Sequence, residues 1–141
     1  MQAFEKVQHP AKSLTFVGAI SPAVLEMLHQ RKLWPEHARA IGPVPQAELK
    51  TLMSRSHVLA LPSVEEGLAL VLEQAMACGC PVIATIRDVD ALAEKLQFMA
   101  DHPHARAAMG RRALAKVQGF GGWHAYGENA MEIYREVAAK K

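Results

Sequence analysis

The sequence lacks the features that mark several protein classes. It contains no run of about eighteen apolar residues, and its N-terminus carries charge where a signal peptide would be apolar. Basic and acidic residues nearly balance, with 16 Lys and Arg against 14 Asp and Glu, which gives no argument for a nucleic-acid partner. The composition, 50% hydrophobic and 21% charged, is typical of a soluble globular domain.

Cysteine is scarce as well. The only two cysteines, Cys78 and Cys80, are separated by one residue. This arrangement disfavours a structural disulfide or a zinc site and indicates a reducing cytoplasm. The seven histidines show no H-E-x-x-H or other ligand spacing. Because Gly79 between the cysteines is a helix-stop signal, we interpret both thiols as small buried side chains rather than nucleophiles.

Strand and helix patterns alternate along the first two thirds of the chain. Four short apolar runs predict strands, namely SLTFVGAI (13–20), ARAIG (38–42), HVLALPS (57–63) and PVIAT (81–85). Helical spacing of apolar residues fills the intervals, and the first helix is expected to begin at Ser21 and Pro22. The alternation predicts a Rossmann-like α/β fold, with a parallel sheet and helices on both faces. The third run is apolar from Val58 to Pro62, which is typical of a strand buried on both faces.

The last third of the chain is helical. Three periodic runs, 90–100, 104–116 and 123–139, are separated by breaker residues. We therefore expect one domain over residues 1–141, with the sheet and its helices at about 12–87 and the C-terminal helices at 88–141.

The stretch EEGLALVLEQAMACGCPVIAT (65–85) places a Glu-Gly corner where the third strand passes into its helix. Open α/β sheets bind ligands beyond the carboxyl ends of their strands. Gly67 would let the backbone approach a ligand, and the N–H groups of Leu68 and Ala69 would be free donors for a diphosphate. Glu66 would accept bonds from sugar hydroxyls. The alternative is that Glu66 is only a helix N-terminal acid, favoured by about 0.3–1 kcal/mol.

The segment PSVEEGLALVLEQAMACGCPVIAT (62–85) resembles the donor-site signature of the family 4 retaining glycosyltransferases, which have the GT-B fold. The preceding GPVPQAELKTLMSRSHVLALPS (42–63), the helix RDVDALAEKL (87–96) and the terminal helix from Trp123 also resemble that family. The resemblance implies the C-terminal, donor-binding half of an enzyme that transfers a hexose from a nucleotide-diphosphate sugar, with retention and without a metal. It also implies an N-terminal acceptor-binding domain as partner, and bacterial-type glycan biosynthesis in the cytoplasm, either free or peripheral at the inner membrane face.

The resemblance also implies roles for individual residues. Glu66 would be the catalytic residue and meet the donor sugar, and the backbone N–H groups of 67–69 would bind sugar and diphosphate. Gln74 would bind the nucleotide ribose, and Val44 would offer its backbone to the base. The nucleotide sugar is a substrate, and no cofactor is expected.

Two registers are open for the pair of acidic positions, which in the family have seven residues between them. Glu65 and Glu73 have this spacing, but glycine then does not follow the first glutamate. Glu66 and Gln74 keep the Glu-Gly pair, with an amide in place of the second carboxylate. We prefer the second register because the glycine and the helix start fix the site geometry.

Two other local signals have simpler interpretations. Asp88 and Asp90 form a D-x-D, which holds a metal in a different glycosyltransferase fold. Here it directly precedes a helical pattern, so we predict a helix cap. Arg111 and Arg112 could contact acidic lipid or phosphate, and we interpret them as a solvated helix face.

The chain departs from the family in two places. We find no counterpart to an earlier strand and loop whose Arg and Lys neutralise the leaving diphosphate. A glycine-rich loop with a Glu and a short strand, about twenty residues, is also missing between Thr85 and Asp88. Two alternatives therefore stay open, a non-catalytic nucleotide-sugar-binding module and a structural or interaction domain. The sugar, base, acceptor and oligomeric state are not determined by the sequence.

Overall fold

Alternating strands and helices, followed by three helices, make up the chain in a computed structural model that describes residues 1–62, 70–84 and 88–139, without the side chains of 122–124 and 126. The strands in these ranges are β1 (Leu14–Phe16), β2 (Ala38–Ala40), β3 (Leu59–Leu61) and β4 (Val82–Ala84). The helices are α1 (Gln2–Lys6), α2 (Pro22–Gln30), α3 (Gln46–Arg55), α4 (Leu70–Ala77), α5 (Val89–Asp101), α6 (Pro103–Gly119) and α7 (Gly122–Ala139).

The four strands form two parallel pairs. β1 pairs with β2, with Leu14 opposite Ala38, and β3 pairs with β4, with Leu59 opposite Val82. No other strand pairing occurs in the described part of the chain. The predicted parallel α/β fold is confirmed, and in the described ranges its strands make two two-stranded sheets.

The apolar third strand is less buried than its sequence predicts. All three residues of β3 are only half-buried, whereas Ile83 of β4 is 7% exposed. The prediction of a strand buried on both faces is therefore wrong. Parallel strands are buried on both faces when helices cover both faces of the sheet, and within the described residues β3 pairs with β4 alone.

Helix α1 has five residues and is not predicted by the sequence pattern. Lys12 Nζ donates hydrogen bonds to the carbonyl oxygens of Phe4, Glu5 and Val7, at 3.1, 2.9 and 3.0 Å. These bonds satisfy carbonyl groups that a helix end leaves without partners. A helix this short is not stable alone in water, and α1 packs against α5. Tertiary contacts therefore hold it.

Helix α4 ends in a turn centred on Gly79, which has a φ of +69°. The Cys80 N–H donates to the Ala75 carbonyl and the Gly79 N–H to the Met76 carbonyl, both at 2.9 Å. This pair of bonds is typical of glycine-terminated helices, and the predicted helix stop is confirmed. Helix α6 crosses the turn at the buried Gly110, where any Cβ would collide with the Gly79 carbonyl oxygen.

A core cluster lies among α3, α4 and the β3–β4 pair. Its buried members are Met53, Ala75 and Cys80. Burial raises the pKa of the Cys80 thiol to about 11, because the thiolate would lose its hydration. Cys80 is therefore protonated near neutral pH and is a poor nucleophile. The buried role predicted for Cys80 is confirmed, while Cys78 is half-buried.

The D-x-D segment caps helix α5. Asp88 Oδ1 accepts a hydrogen bond from the Ala91 N–H at 2.7 Å, which confirms the predicted cap. Asp90 pairs instead with Lys6 of α1. In the described ranges no group of three or more His, Cys, Asp or Glu side chains is placed to hold a metal ion.

Asp88→Ala is expected to destabilise the protein by about 1 kcal/mol, because the first turn of α5 loses its side-chain acceptor. Thermal denaturation monitored by circular dichroism measures the change. Asp90→Ala is the matched control and should have a smaller effect, since its ion pair with Lys6 is exposed. Two results together would contradict the cap assignment. The two variants would lose equal stability, and Mn²⁺ would raise the melting temperature of the unmodified chain but not that of either variant.

Candidate functional site

The loops that follow β1 and β2 are joined at their glycines. The Gly18 N–H donates to the Gly42 carbonyl at 2.8 Å, and both residues have positive φ angles, +118° and +71°. Such conformations favour glycine. Val44 follows, half-buried, and Pro45 occupies the N-cap position of α3. The structure thus places Val44 just beyond the carboxyl end of β2, the edge at which open α/β sheets bind ligands.

The central part of the predicted site lies outside the described residues. The segment between β3 and α4 contains both glutamates of the Glu-Glu-Gly corner and the N–H donors after them, which are Glu65, Glu66, Gly67, Leu68 and Ala69. The roles predicted for Glu66, Gly67, Leu68 and Ala69 stay predictions. The described part of the site resumes at Leu70, where α4 begins.

Helix α4 presents the two candidate ribose partners differently. Glu73 is exposed, Gln74 is half-buried, and the next residue, Ala75, is fully buried in the core. The Gln74 side-chain amide makes no hydrogen bond to any described residue. An amide with no hydrogen-bond partner among the described residues can bond a ligand hydroxyl, whereas the Glu73 carboxylate is exposed to water. This difference supports the register that pairs Glu66 with Gln74.

The structure does not join Val44 to Gln74. Val44 follows the β1–β2 pair and Gln74 follows β3. No hydrogen bond connects these two residues within the described ranges.

A family comparison decides the assignment. The sequence model of the family described as "Glycosyl transferases group 1" matches residues 1–114, which is most of the chain. The chain belongs to the group 1 glycosyl transferases. The family resemblance read from residues 62–85 is therefore confirmed at this level.

This glycosyl transferase chain is also similar to individual curated proteins and to a solved structure. It is 33% identical over 126 residues to D-inositol 3-phosphate glycosyltransferase of Kineococcus radiotolerans, covering 70% of this chain and 29% of that protein. The enzyme of the same name from Kribbella flavida is 29% identical over 116 residues, with 69% and 27% covered. Sucrose-phosphate synthase from Thermosynechococcus elongatus matches in structure with a TM-score of 0.82 and 26% identity, covering 99% of this chain and 42% of that chain.

The glycosyl transferase chain is short relative to these proteins. It spans less than a third of the length of the two curated relatives. The alignments are also longer than the number of residues of this chain that they include. For the Kribbella enzyme the stretch is 116 residues, whereas 69% of 141 residues is about 97. The difference, about 19 positions, is the total length of the gaps in this chain in that alignment.

Two features of the site region are not predicted by the sequence of this glycosyl transferase. The Gly18–Gly42 hydrogen bond joins loops that lie 24 positions apart, and the glycines alone indicate turns without indicating which turns meet. The second is the half-buried Gln74 amide, which has no hydrogen-bond partner in the described ranges, because burial and hydrogen bonding on a helix depend on its neighbours in space. The sequence signals for these features are the positions of the two glycines and the position of Gln74 in the helical repeat, and neither signal identifies the spatial neighbours.

Proposed function

We propose that this chain is the donor-nucleotide half of a retaining glycosyltransferase that transfers a hexose from a nucleotide-diphosphate sugar. The observation that supports it most is membership of the group 1 glycosyl transferases together with a half-buried amide, Gln74, on the helix that follows β3. This helix follows β3 along the chain, and α/β folds bind nucleotides beyond the carboxyl ends of their strands. The relatives named as glycosyltransferases support glycosyl transfer as the reaction class.

Each candidate residue has a role in this proposal. Glu66 contacts hydroxyls of the donor sugar, and the N–H groups of 67–69 bind its diphosphate at the positive end of the helix dipole. Gln74 accepts a ribose hydroxyl bond, and the backbone at Val44 meets the base. Electrostatic stabilisation of the departing diphosphate then supplies most of the catalysis, and these donor contacts need no metal.

An acceptor-binding half is the proposed partner. Helix α7 leaves Ile133, Tyr134 and Val137 exposed by 60%, 69% and 58%. Their spacing places them on one face of the helix, and exposed apolar faces commonly mark interfaces. The curated relatives are more than three times as long as the matched part, which leaves room for such a half.

The proposed location is the cytoplasm, with or without peripheral contact with the inner membrane face. Only two cysteines occur, both free, which is typical of reducing compartments. In the described part of the chain no helix is both long and apolar enough to span a bilayer. Fractionation of cells producing the protein, with and without a high-salt wash, would distinguish free from peripheral protein.

A second candidate function is a module that binds a nucleotide sugar without chemistry. It is favoured by the sequence, in which we find no counterpart to the family's Arg and Lys that neutralise the leaving diphosphate. Calorimetric titration with UDP, GDP and ADP tests both candidates. Binding of any one of them supports a nucleotide site, while binding of none favours a structural or interaction domain of the same fold.

The 141-residue chain alone is expected to transfer no measurable sugar. Transition-state stabilisation requires a positioned acceptor and cationic groups at the leaving diphosphate, and the sequence shows no counterpart to the family's Arg and Lys. The assay is release of nucleoside diphosphate from UDP-, GDP- and ADP-linked hexoses in the presence of candidate acceptors. Turnover by the purified chain would contradict this expectation.

The register of the ribose partner is tested by exchanging charge at two adjacent positions. Gln74→Glu should tighten nucleoside diphosphate binding by about 1 kcal/mol, because a charged acceptor bonds a hydroxyl more strongly than an amide does. Glu73→Gln is the matched control and should leave affinity unchanged, since Glu73 is exposed. Calorimetry and thermal denaturation on both variants separate affinity from stability. A large loss of affinity in Glu73→Gln would instead support the pair Glu65 and Glu73.

A further inference from the structure

Helix α6 carries positive charge and no negative charge. Its 17 residues include Arg106, Arg111, Arg112 and Lys116 but no Asp or Glu, whereas the two signs nearly balance over the whole chain. Opposite charges four positions apart stabilise a helix, and like charges at that spacing destabilise it. Arg112 and Lys116 are like charges at this spacing. Helix stability therefore does not explain the charges of α6.

The packing of α6 separates these cations into two groups. Arg106 is half-buried, and its guanidinium donates a hydrogen bond to a backbone carbonyl of α5. Arg111, Arg112 and Lys116 are exposed. At about 100° per residue they fall within an arc of roughly 140°, whose centre is opposite Gly110, the residue that lies against the turn ending α4. These three residues form the basic face of α6.

No acidic side chain neutralises the basic face. Its three cations make no ion pair or hydrogen bond with any residue in the ranges that the structure describes. Helices α4 and α5 pack against α6. The carboxylates of α5, on Asp90, Glu94 and Asp101, already have partners on α1 or α5. Unpaired charges of one sign on one surface create a potential that attracts the opposite sign.

The shape of the basic face suits a planar array of anions. Ala115 and Gly119 lie between the three cations on the exposed side of the helix, so no large side chain projects between them. Cations on a convex helix surface diverge, whereas a site for one phosphate needs donors that converge on it. Phe120, at the C-cap position, is 52% exposed and lies about 40° further round the helix than Lys116.

We propose that the basic face of α6 docks this chain on the surface of an anionic lipid bilayer. Arg111, Arg112 and Lys116 contact headgroup phosphates, each strengthening binding about fivefold. Phe120 enters the interfacial region, where aromatic side chains with a polar surrounding are favoured. The inference rests on the peripheral location proposed above, and it names the surface that makes the contact.

The test measures binding of the full 141-residue chain to vesicles by flotation at low ionic strength. One set of vesicles is phosphatidylcholine alone, and the other contains phosphatidylglycerol as well. The first variant combines Arg111→Gln, Arg112→Gln and Lys116→Gln. The matched control combines Arg31→Gln, Lys50→Gln and Arg55→Gln, which are exposed cations on or next to α2 and α3. Both variants lower the net charge by three, from +2 to −1.

The unmodified chain is expected to bind the anionic vesicles, and high salt should release it. The basic-face variant should bind roughly 100-fold more weakly, down to the level seen with neutral vesicles, and the control variant should lose only a few-fold. Circular dichroism establishes that both variants are folded. If the triple variant does not fold, the three single variants must each lose about fivefold.

Three results would overturn the proposal. The unmodified chain could fail to bind anionic vesicles, or both triple variants could lose binding equally, which would make net charge the cause. Binding of a soluble acidic peptide as tightly as the vesicles would show that the face recognises a protein partner instead. The vesicle assay contains no nucleotide, so failure of the nucleotide site proposed above and failure of membrane docking are distinguished by separate measurements.

Discussion

Gly110→Ala is expected to destabilise the protein by about 2 kcal/mol and to lower its melting temperature by roughly 6–10 °C. Helix α6 lies against the turn that ends α4, and a Cβ at position 110 would fall inside van der Waals distance of the Gly79 carbonyl oxygen. A backbone carbonyl in a hydrogen-bonded turn cannot rotate aside as a side chain does. The two helices must therefore separate, which loosens the cluster around Ala75 and Cys80. Chemical denaturation measures the loss.

The control for this prediction is Gly127→Ala in α7. Nothing lies within 4 Å of a Cβ at Gly127, and alanine is favoured over glycine in a helix interior by about 1 kcal/mol. The control should therefore be neutral or stabilising, opposite in sign to Gly110→Ala. Stabilisation of both variants would contradict the prediction, because it would mean that a methyl group at position 110 fits between α6 and the turn that ends α4.

The order of elements follows from local signals in the sequence. Pro22 begins α2, Gly79 ends α4, and Asp88 caps α5, each at the position the sequence predicts. At α2 the predicted cap residue, Ser21, occupies the N-cap position but makes no side-chain cap bond. These signals act through the backbone of a few neighbouring residues, so they can be read without knowledge of the tertiary structure.

Features that depend on distant residues could not be predicted. The sequence pattern indicates four strands in one sheet, but pairing is decided by which edges meet, and no ladder joins β1 to β3 in the part of the chain that the structure describes. Helix α1 likewise exists because of Lys12 and of its contacts with α5. In each case the decisive partner lies many positions away, where neither periodicity nor capping gives a signal.

The candidate site divides in the same way. The Glu-Gly corner and the family signature predict the class of ligand and the helix involved. The choice between Glu73 and Gln74 depends on the rotation of α4 about its axis. That rotation is fixed by packing of Ala75 and Met53 in the core, and it becomes visible only as the difference in exposure between the two side chains.

Glu66→Ala is expected to weaken binding of a nucleotide sugar by roughly 10- to 100-fold and to leave the matching nucleoside diphosphate nearly unchanged. A carboxylate that accepts bonds from sugar hydroxyls contributes about 1.5–3 kcal/mol through charge-assisted hydrogen bonds. Close to a diphosphate the same negative charge makes no favourable contact, so its removal costs the free nucleotide nothing. Isothermal titration calorimetry of the variant, first with a nucleotide sugar and then with the matching nucleoside diphosphate, measures the two affinities.

Glu65→Ala is the neighbouring control, and it should change neither affinity if the working register begins at Glu66. The split between the two ligands is the decisive quantity, because loss of local structure would weaken both to the same extent. Equal losses for sugar-linked and free nucleotide would therefore make Glu66 a structural acid at the start of the helix, favoured by the dipole alone. A selective loss in Glu65→Ala, with Glu66→Ala silent, would move the sugar contact one residue back and make the exposed Glu73 its partner on α4.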